Sequence, residues 1–365
     1  MRNTPLDEET VYKELQDVFR RQPMVVLGCG SSTATGGIFG IEFPGMEGLA
    51  QRLREKLPTR IDSVPDAKLQ WKECDGLLDK LGLEGALQES AVKDQRLLRE
   101  IVNVTAEAIG DPDRRFRELV ARGKAKDYPL RRLVEFLVRS VAPWNPKIHI
   151  VTPNYDHLVE MTCDAANIRC VTHFEGIIIR CFNRDKVRHL ATKLDSAKGR
   201  KRRGVVHRVL PHVLVYKPHG SLGWFQSPEG PVEVHDCSLD LDRIMVTPGV
   251  RKYESCLTSE VLDCHRQWAN EAVRKADALF FYGYGFNDRH LETAISARLT
   301  ERVPAVVLAR KLSVGARSIS KQHPHVWCLE EAQNGFTRCY QDGLIEIIKG
   351  SLWELGFFLK SVMGA

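Results

Sequence analysis

The chain has 365 residues, 43% hydrophobic and 27% charged, and a net charge of +6. That is the composition of ordinary folded domains, and it excludes collagen-like, disulfide-scaffold and disordered classes. No apolar run approaches the ~20 residues that cross a bilayer, and the charged N-terminus lacks the apolar stretch of a secretory signal. A cytoplasmic protein without membrane contact is therefore expected, with its ten cysteines reduced. No two cysteines stand at C-x-x-C spacing, so no metal is expected. Much of the positive excess lies in Lys198, Arg200, Lys201, Arg202 and Arg203, without interleaved aromatics. Such a run reads as a solvated loop, and direct nucleic-acid binding is not expected.

Val11, Leu15, Val18 and Phe19 recur at helical spacing and predict a helix over 8–22, ended by Pro23. Met24-Val25-Val26-Leu27 reads as the first strand, followed by a glycine-rich turn and a helix carrying Met46, Leu49, Ala50, Leu53 and Leu57. From about 60 to 143 the apolar residues keep a period near 3.6, which predicts a helical insertion that walls a cleft or makes subunit contacts. Strands are expected at 148–151, 213–216, 278–281 and 305–308. Helices are expected at 156–166, 253–275, 288–299 and 352–359. Residues 185–210, basic and poor in large apolar side chains, read as a mobile loop, and Lys321 to His325 as a loop between two strands. Cys264-His265 reads as packing within an amphipathic helix, and His207, His212 and His235 lack metal-like spacing. Alternating strands and helices predict one α/β domain over 1–365. Its core would be a Rossmann-like, mostly parallel sheet with helices on both faces and the helical insertion attached.

Polar or glycine-rich segments follow four of these strands: Gly28 to Gly36, Thr152 to Asp156, Lys217 to Ser221, and Gly283 to Asp288. In an open parallel sheet, ligands bind beyond the carboxyl ends of the strands. Gly28 and Gly30 permit close backbone approach to a phosphate, and the next helix would offer its N-terminal amides. The same glycines also suit a plain strand-to-helix turn. The dehydrogenase fingerprint G-x-G-x-x-G is broken by Thr33, and no clear acidic residue follows about twenty residues on, which argues against hydride transfer. Asn154 can hold a water or a hydroxyl without changing charge, His219 can act as a base near neutral pH, and Asp156 can orient a carboxamide or stabilise a developing cation. Asn154 and Asp156 also suit the cap of the next helix, and His219 a turn.

Together, in order, the segments resemble the sirtuin-like NAD-consuming family. Gly28, Cys29, Gly30, Ser32 and Gly36 match its G-A-G-x-S-x-x-x-G loop with Cys for Ala. Thr152, Asn154 and Asp156 match its Asn/Asp motif, and His219-Gly220 its His-Gly motif. The segment Gly283-Tyr284-Gly285-Phe286-Asn287-Asp288 looks like the corresponding turn of the bacterial branch. The resemblance implies a site with Asn154, His219 and Asp156 as catalytic residues. It implies contacts to NAD from Gly28, Cys29, Gly30, Ser31, Ser32, Thr33, Thr152, Gly283, Tyr284, Gly285, Asn287 and Asp288. The cysteine pairs of the deacetylating members are missing. Only Cys237, Cys256 and Cys264 occupy that stretch, and the D-F-R segment is replaced by residues 38–43, where Phe39 or Phe43 could cover nicotinamide. The implied activity is therefore NAD+ hydrolysis to nicotinamide and ADP-ribose, in an antiphage-defence effector. The implied partners are further copies of the chain and a co-encoded HerA-type ATPase or another sensor such as a short Argonaute. The competing readings are an NAD-dependent protein deacylase and a non-catalytic NAD or ADP-ribose sensor.

Overall fold

A computed structural model describes residues 8–184, 191–198, 203–235, 239–246 and 259–365. The chain opens with α1 (Glu8–Arg20), β1 (Met24–Leu27) and α2 (Cys29–Ile38). Three long helices follow, α3 (Met46–Arg60), α4 (Pro65–Glu89) and α5 (Gln95–Ala121), then α6 (Pro129–Arg139). Pro65 and Pro129 each open a helix, where the missing amide hydrogen costs nothing. Asp94 caps α5 by accepting from the Leu97 amide at 2.7 Å. α4 is broken at Gly82, whose φ of 69° no helix continues through.

β2 (Lys147–Val151) and α7 (Leu158–Ala165) lead to the short strands β3 (Arg169–Val171), β4 (Phe174–Gly176) and β5 (Arg180–Phe182). Next come β6 (Thr192–Lys198), β7 (Arg203–Val209), β8 (His212–Tyr216), β9 (Gly220–Ser227), β10 (Gly230–Glu233) and β11 (Asp242–Met245). The chain finishes with α8 (Glu260–Lys275), β12 (Leu279–Tyr282), α9 (Arg289–Thr300), β13 (Ala305–Leu308), α10 (Val314–Gln322), β14 (Trp327–Glu331), β15 (Thr337–Gln341), β16 (Leu344–Ile348) and α11 (Leu355–Phe358).

The main sheet has nine strands in the order β16-β15-β14-β13-β12-β1-β2-β8-β3. It is parallel from β14 to β3, with β15 and β16 antiparallel at one edge. Alternate residues of its central strands enter two separate cores. Val25, Leu27, Ile150, Val215 and Phe280 face α1, α6, α7 and α11. Val26, Leu214, Leu279, Phe281 and Val307 face α8, α9 and α10. Helices thus cover both faces, which explains why these strands are apolar throughout and not alternating. The mostly parallel Rossmann-like α/β sheet expected from the sequence is the sheet found.

Within the helical stretch, α3, α4 and α5 share their own core with Tyr155, Leu222 and Met245. α6 packs against the sheet instead. A second, antiparallel sheet, β11-β9-β10-β5-β4, escaped the sequence reading. It buries Phe174, Trp224, Ile244 and Val246 against Val261 and Leu262 of α8.

Several boundaries are corrected. The expected loop over 185–210 contains a β6–β7 hairpin, whose strands pair antiparallel from Thr192↔Val209 to Lys198↔Arg203. Residues 185–190 and 199–202, including most of the basic run, lie outside the described residues, as do Cys237, Cys256 and 253–258 of the helix expected over 253–275. Lys321 and Gln322 end α10, so that segment joins a helix to a strand and not two strands. The last helix is shorter than expected, Leu355–Phe358, and passes into a wider turn over Leu359–Met363.

Candidate functional site

Strands β12, β1, β2 and β8 are neighbours in the sheet, and the four polar segments leave their carboxyl ends side by side. The chain leaves β2 for α7 on one face and β12 for α9 on the other. Such a switch point opens a crevice between the diverging connections.

The two glycine segments meet main chain to main chain across this crevice. The Gly30 amide donates to the Gly283 carbonyl at 3.1 Å, and Gly28 to Tyr282 at 3.0 Å. A Cβ on Gly28 would run into the Gly283 carbonyl, and one on Gly283, whose φ is +60°, into the Ser31 amide. These glycines are explained by close approach of protein to protein. The Ser31 hydroxyl is spent on the Gly28 carbonyl at 2.7 Å, and that of Thr33 on Cys29 at 3.2 Å on the exposed side of α2.

The Thr152 to Asp156 segment is held just as closely. The Thr152 hydroxyl donates to the Leu27 carbonyl at 2.9 Å and accepts from the Asn154 amide at 3.2 Å. The Asn154 side-chain amide donates to the Gly28 carbonyl and to Ser32 Oγ, each at 2.9 Å. Ser32 Oγ in turn donates to Asp156 Oδ2 at 2.8 Å, while Asp156 Oδ1 accepts from the Leu158 amide at 3.1 Å. Asp156 therefore closes a side-chain turn just ahead of α7 and lines the crevice at once. Burial pushes its carboxyl up from the ordinary value, against the pull of Lys217.

His219 comes off β8, and its Nε2 lies 2.7 Å from Oδ2 of Asp288. Asp288 also caps α9 by accepting from the His290 amide at 3.1 Å. Gly220, at φ +89°, lets the chain turn immediately after His219, and a Cβ there would strike the Ile244 carbonyl of β11.

The resulting cleft encloses about 1040 Å³ counted to its open mouth. Gly28, Cys29, Ser32, Asn154, Asp156, His219, Tyr284, Gly285, Asn287 and Asp288 all line it. Gly30, Ser31, Thr33, Thr152 and Gly283 do not; apart from Thr33, they brace the loops that do. Of the two phenylalanines that could cover a ring, Phe43 lines the cleft, whereas Phe39 packs edge-on against Phe116 and Tyr128. The sequence reading missed an apolar wall of Met46, Leu49 and Ile109 and the carboxylate of Glu84. These sit on α3, α5 and the part of α4 beyond Gly82, where helical periodicity marks them only as core. Tyr284, 95% buried, also lines this cleft, and its buried hydroxyl has no hydrogen-bond partner. Burial raises its pKa well above the ordinary value, so the phenol is neutral.

No protein-family model matches the chain, and no curated protein matches it.

Proposed function

We propose that the chain hydrolyses NAD+ to nicotinamide and ADP-ribose in this cleft. The observation that carries the reading is the meeting of Asn154, Asp156 and a His219–Asp288 pair at one switch-point crevice. A mostly apolar cleft with a few convergent polar groups is the usual form of a small-molecule site. The order of its motifs, which resembles that of sirtuin-like NAD-consuming proteins, selects the substrate.

In this reading the bond between the nicotinamide nitrogen and ribose C1′ breaks, and its electron pair leaves with nicotinamide. Positive charge develops on the sugar, and a water oxygen forms the new bond to C1′. Asn154 has committed its amide hydrogens to Gly28 and Ser32, which leaves Oδ1 to accept from a ribose hydroxyl or the attacking water. His219, with Nε2 held toward Asp288, takes the water proton at Nδ1 and releases it to solvent. The carboxylates of Asp288 and Glu84 lower the cost of the cation. Phe43 and the apolar wall exclude bulk water from the ring.

On the same resemblance, the chain acts as an antiphage-defence effector. It associates with itself and with a co-encoded sensor, such as a HerA-type ATPase or a short Argonaute. The test is chromatography of NAD+ incubated with the purified chain, alone and with the neighbouring gene's product. Equal amounts of nicotinamide and ADP-ribose support the reading. Intact NAD+ in both arms overturns it, and transfer of an acyl group from an acyl-lysine peptide to ADP-ribose would favour a deacylase.

A further inference from the structure

Behind the cleft lies a cluster of buried charge, of which the hydrolytic reading uses only Asp156. Lys217 is 0% exposed, and Asp113, Asp156, His157 and Glu160 are each buried around it or close by. Full burial of an unpaired ammonium is prohibitive, so its partners matter. Lys217 Nζ donates to Glu160 Oε1 at 2.8 Å and to the main-chain carbonyl of Asp156. The same residue closes the turn that presents His219: its carbonyl accepts from the Gly220 amide at 3.1 Å, and its amide donates to His265 Nδ1 at 3.1 Å. On the far side, Asp113 of α5 accepts from the His157 amide at 2.7 Å, lies 3.1 Å from His157 Nδ1, and pairs with Arg117 at 2.8 Å.

We infer that Lys217 is a positioning residue, whose buried ammonium fixes the loop carrying Asn154 and Asp156 relative to the turn carrying His219. The inference rests on the hydrolytic reading of the cleft and deepens it. The Pro153 to His157 loop is gripped at two consecutive residues, at Asp156 by a cation from the turn after β8 and at His157 by an anion from α5. Neither grip reaches the cleft surface: among these groups only Asp156 lines it. Stability alone does not call for such an arrangement, because apolar residues of similar volume often replace a buried ion pair at no loss. A methionine at 217 would fill the space but give the Asp156 carbonyl no donor. The loop would then lose its register against His219, and displacement by about 1 Å costs on the order of 100-fold in rate.

The test compares wild type with Lys217→Met and with Lys217→Met/Glu160→Gln, the second removing the carboxylate that the first leaves buried and unpaired. Each is followed by thermal melting, by ADP-ribose calorimetry and by steady-state nicotinamide release. The expected double variant melts within a few degrees of wild type and keeps its ADP-ribose affinity and KM within about threefold. Its kcat falls by about 100-fold. A folded double variant with kcat within threefold of wild type overturns the positioning role. So does a kcat loss matched by an equal loss of ADP-ribose affinity, which would mark a merely structural lysine. A wild type that releases no nicotinamide either alone or with the neighbouring gene's product, assayed alongside, overturns the hydrolytic reading and this inference with it, whereas a wild type active in either arm confines any failure to Lys217.

Discussion

His219 Nε2 and Asp288 Oδ2 stand 2.7 Å apart, joining the turn after β8 to the first residue before α9. On the proposed reading His219 is the base, and a carboxylate facing its second ring nitrogen holds the ring in one orientation and tautomer. Asp288→Asn keeps the helix cap, since asparagine caps as well as aspartate, but removes the charge. It should lower kcat for nicotinamide release by about 100-fold, within the usual range for general-base catalysis. Combined with His219→Ala, it should add little, because the two act as one unit. Additive losses in steady-state kinetics would separate them.

Asn154→Ala removes two hydrogen bonds, to Gly28 and to Ser32, in a partly buried position. At roughly 1 kcal/mol each, the fold should survive with a stability loss of about 2 kcal/mol. Nicotinamide release should disappear. Urea unfolding and a product assay on the same preparation check both halves, and a stable, fully active variant would remove Asn154 from the chemistry.

Gly283→Ala should be among the costlier small substitutions in this chain. It forces an L residue to φ +60° and drives a methyl into the Ser31 amide. A loss above about 2 kcal/mol is expected from the strain and the clash together. Gly76→Ala is the control: it lies within α4 with nothing within 4 Å of the added carbon, and should gain about 0.5–1 kcal/mol. Denaturant midpoints of the two variants should move in opposite directions.

Acid should destabilise the fold before the carboxylates titrate. Burial, and for His149 the nearby Lys147 as well, depresses His149 and His173 to about 4. A histidine whose folded pKa lies below its unfolded value near 6.5 leaves the unfolded chain holding the extra proton between those values. Stability is then fully present above about pH 6.5 and is lost as pH falls toward 4. His157 works in the opposite direction. Burial disfavours its cation, but contact with Asp113 outweighs that, so its pKa is raised and its contribution is lost on the alkaline side. His173 stacks on Trp268 at 3.8 Å with neither ring nitrogen bonded, so His173→Phe should flatten the acid limb. Melting curves from pH 7.5 to 4.5 that superimpose for wild type and variant would refute this.

The parallel strands were legible because burial on both faces demands unbroken apolar runs, as in Met24–Leu27 and Ala305–Leu308. The segments after them were legible as polar interruptions. Strands of three residues, such as β4 and β5, carry too little pattern to be seen, and β9 begins inside the His-Gly motif, where the reading stopped at a turn. Within the glycine loop, residue types alone treated Ser31, Ser32 and Thr33 alike. Helical geometry separates them: Ser32 turns to the cleft, Ser31 to the main chain and Thr33 to solvent. Glu84 was invisible for a further reason: only the break at Gly82 carries its part of α4 to the cleft.

The contact between the Gly28 and Gly283 loops divides the cleft into a floor that resists redesign and a wall that invites it. On the floor, backbone meets backbone, and a single added methyl has no room. On the wall, Met46, Leu49 and Ile109 are side chains on helices, which exchange for others of similar volume at modest cost. A diverging lineage, or an engineer seeking a different ligand, has its freedom in these three positions.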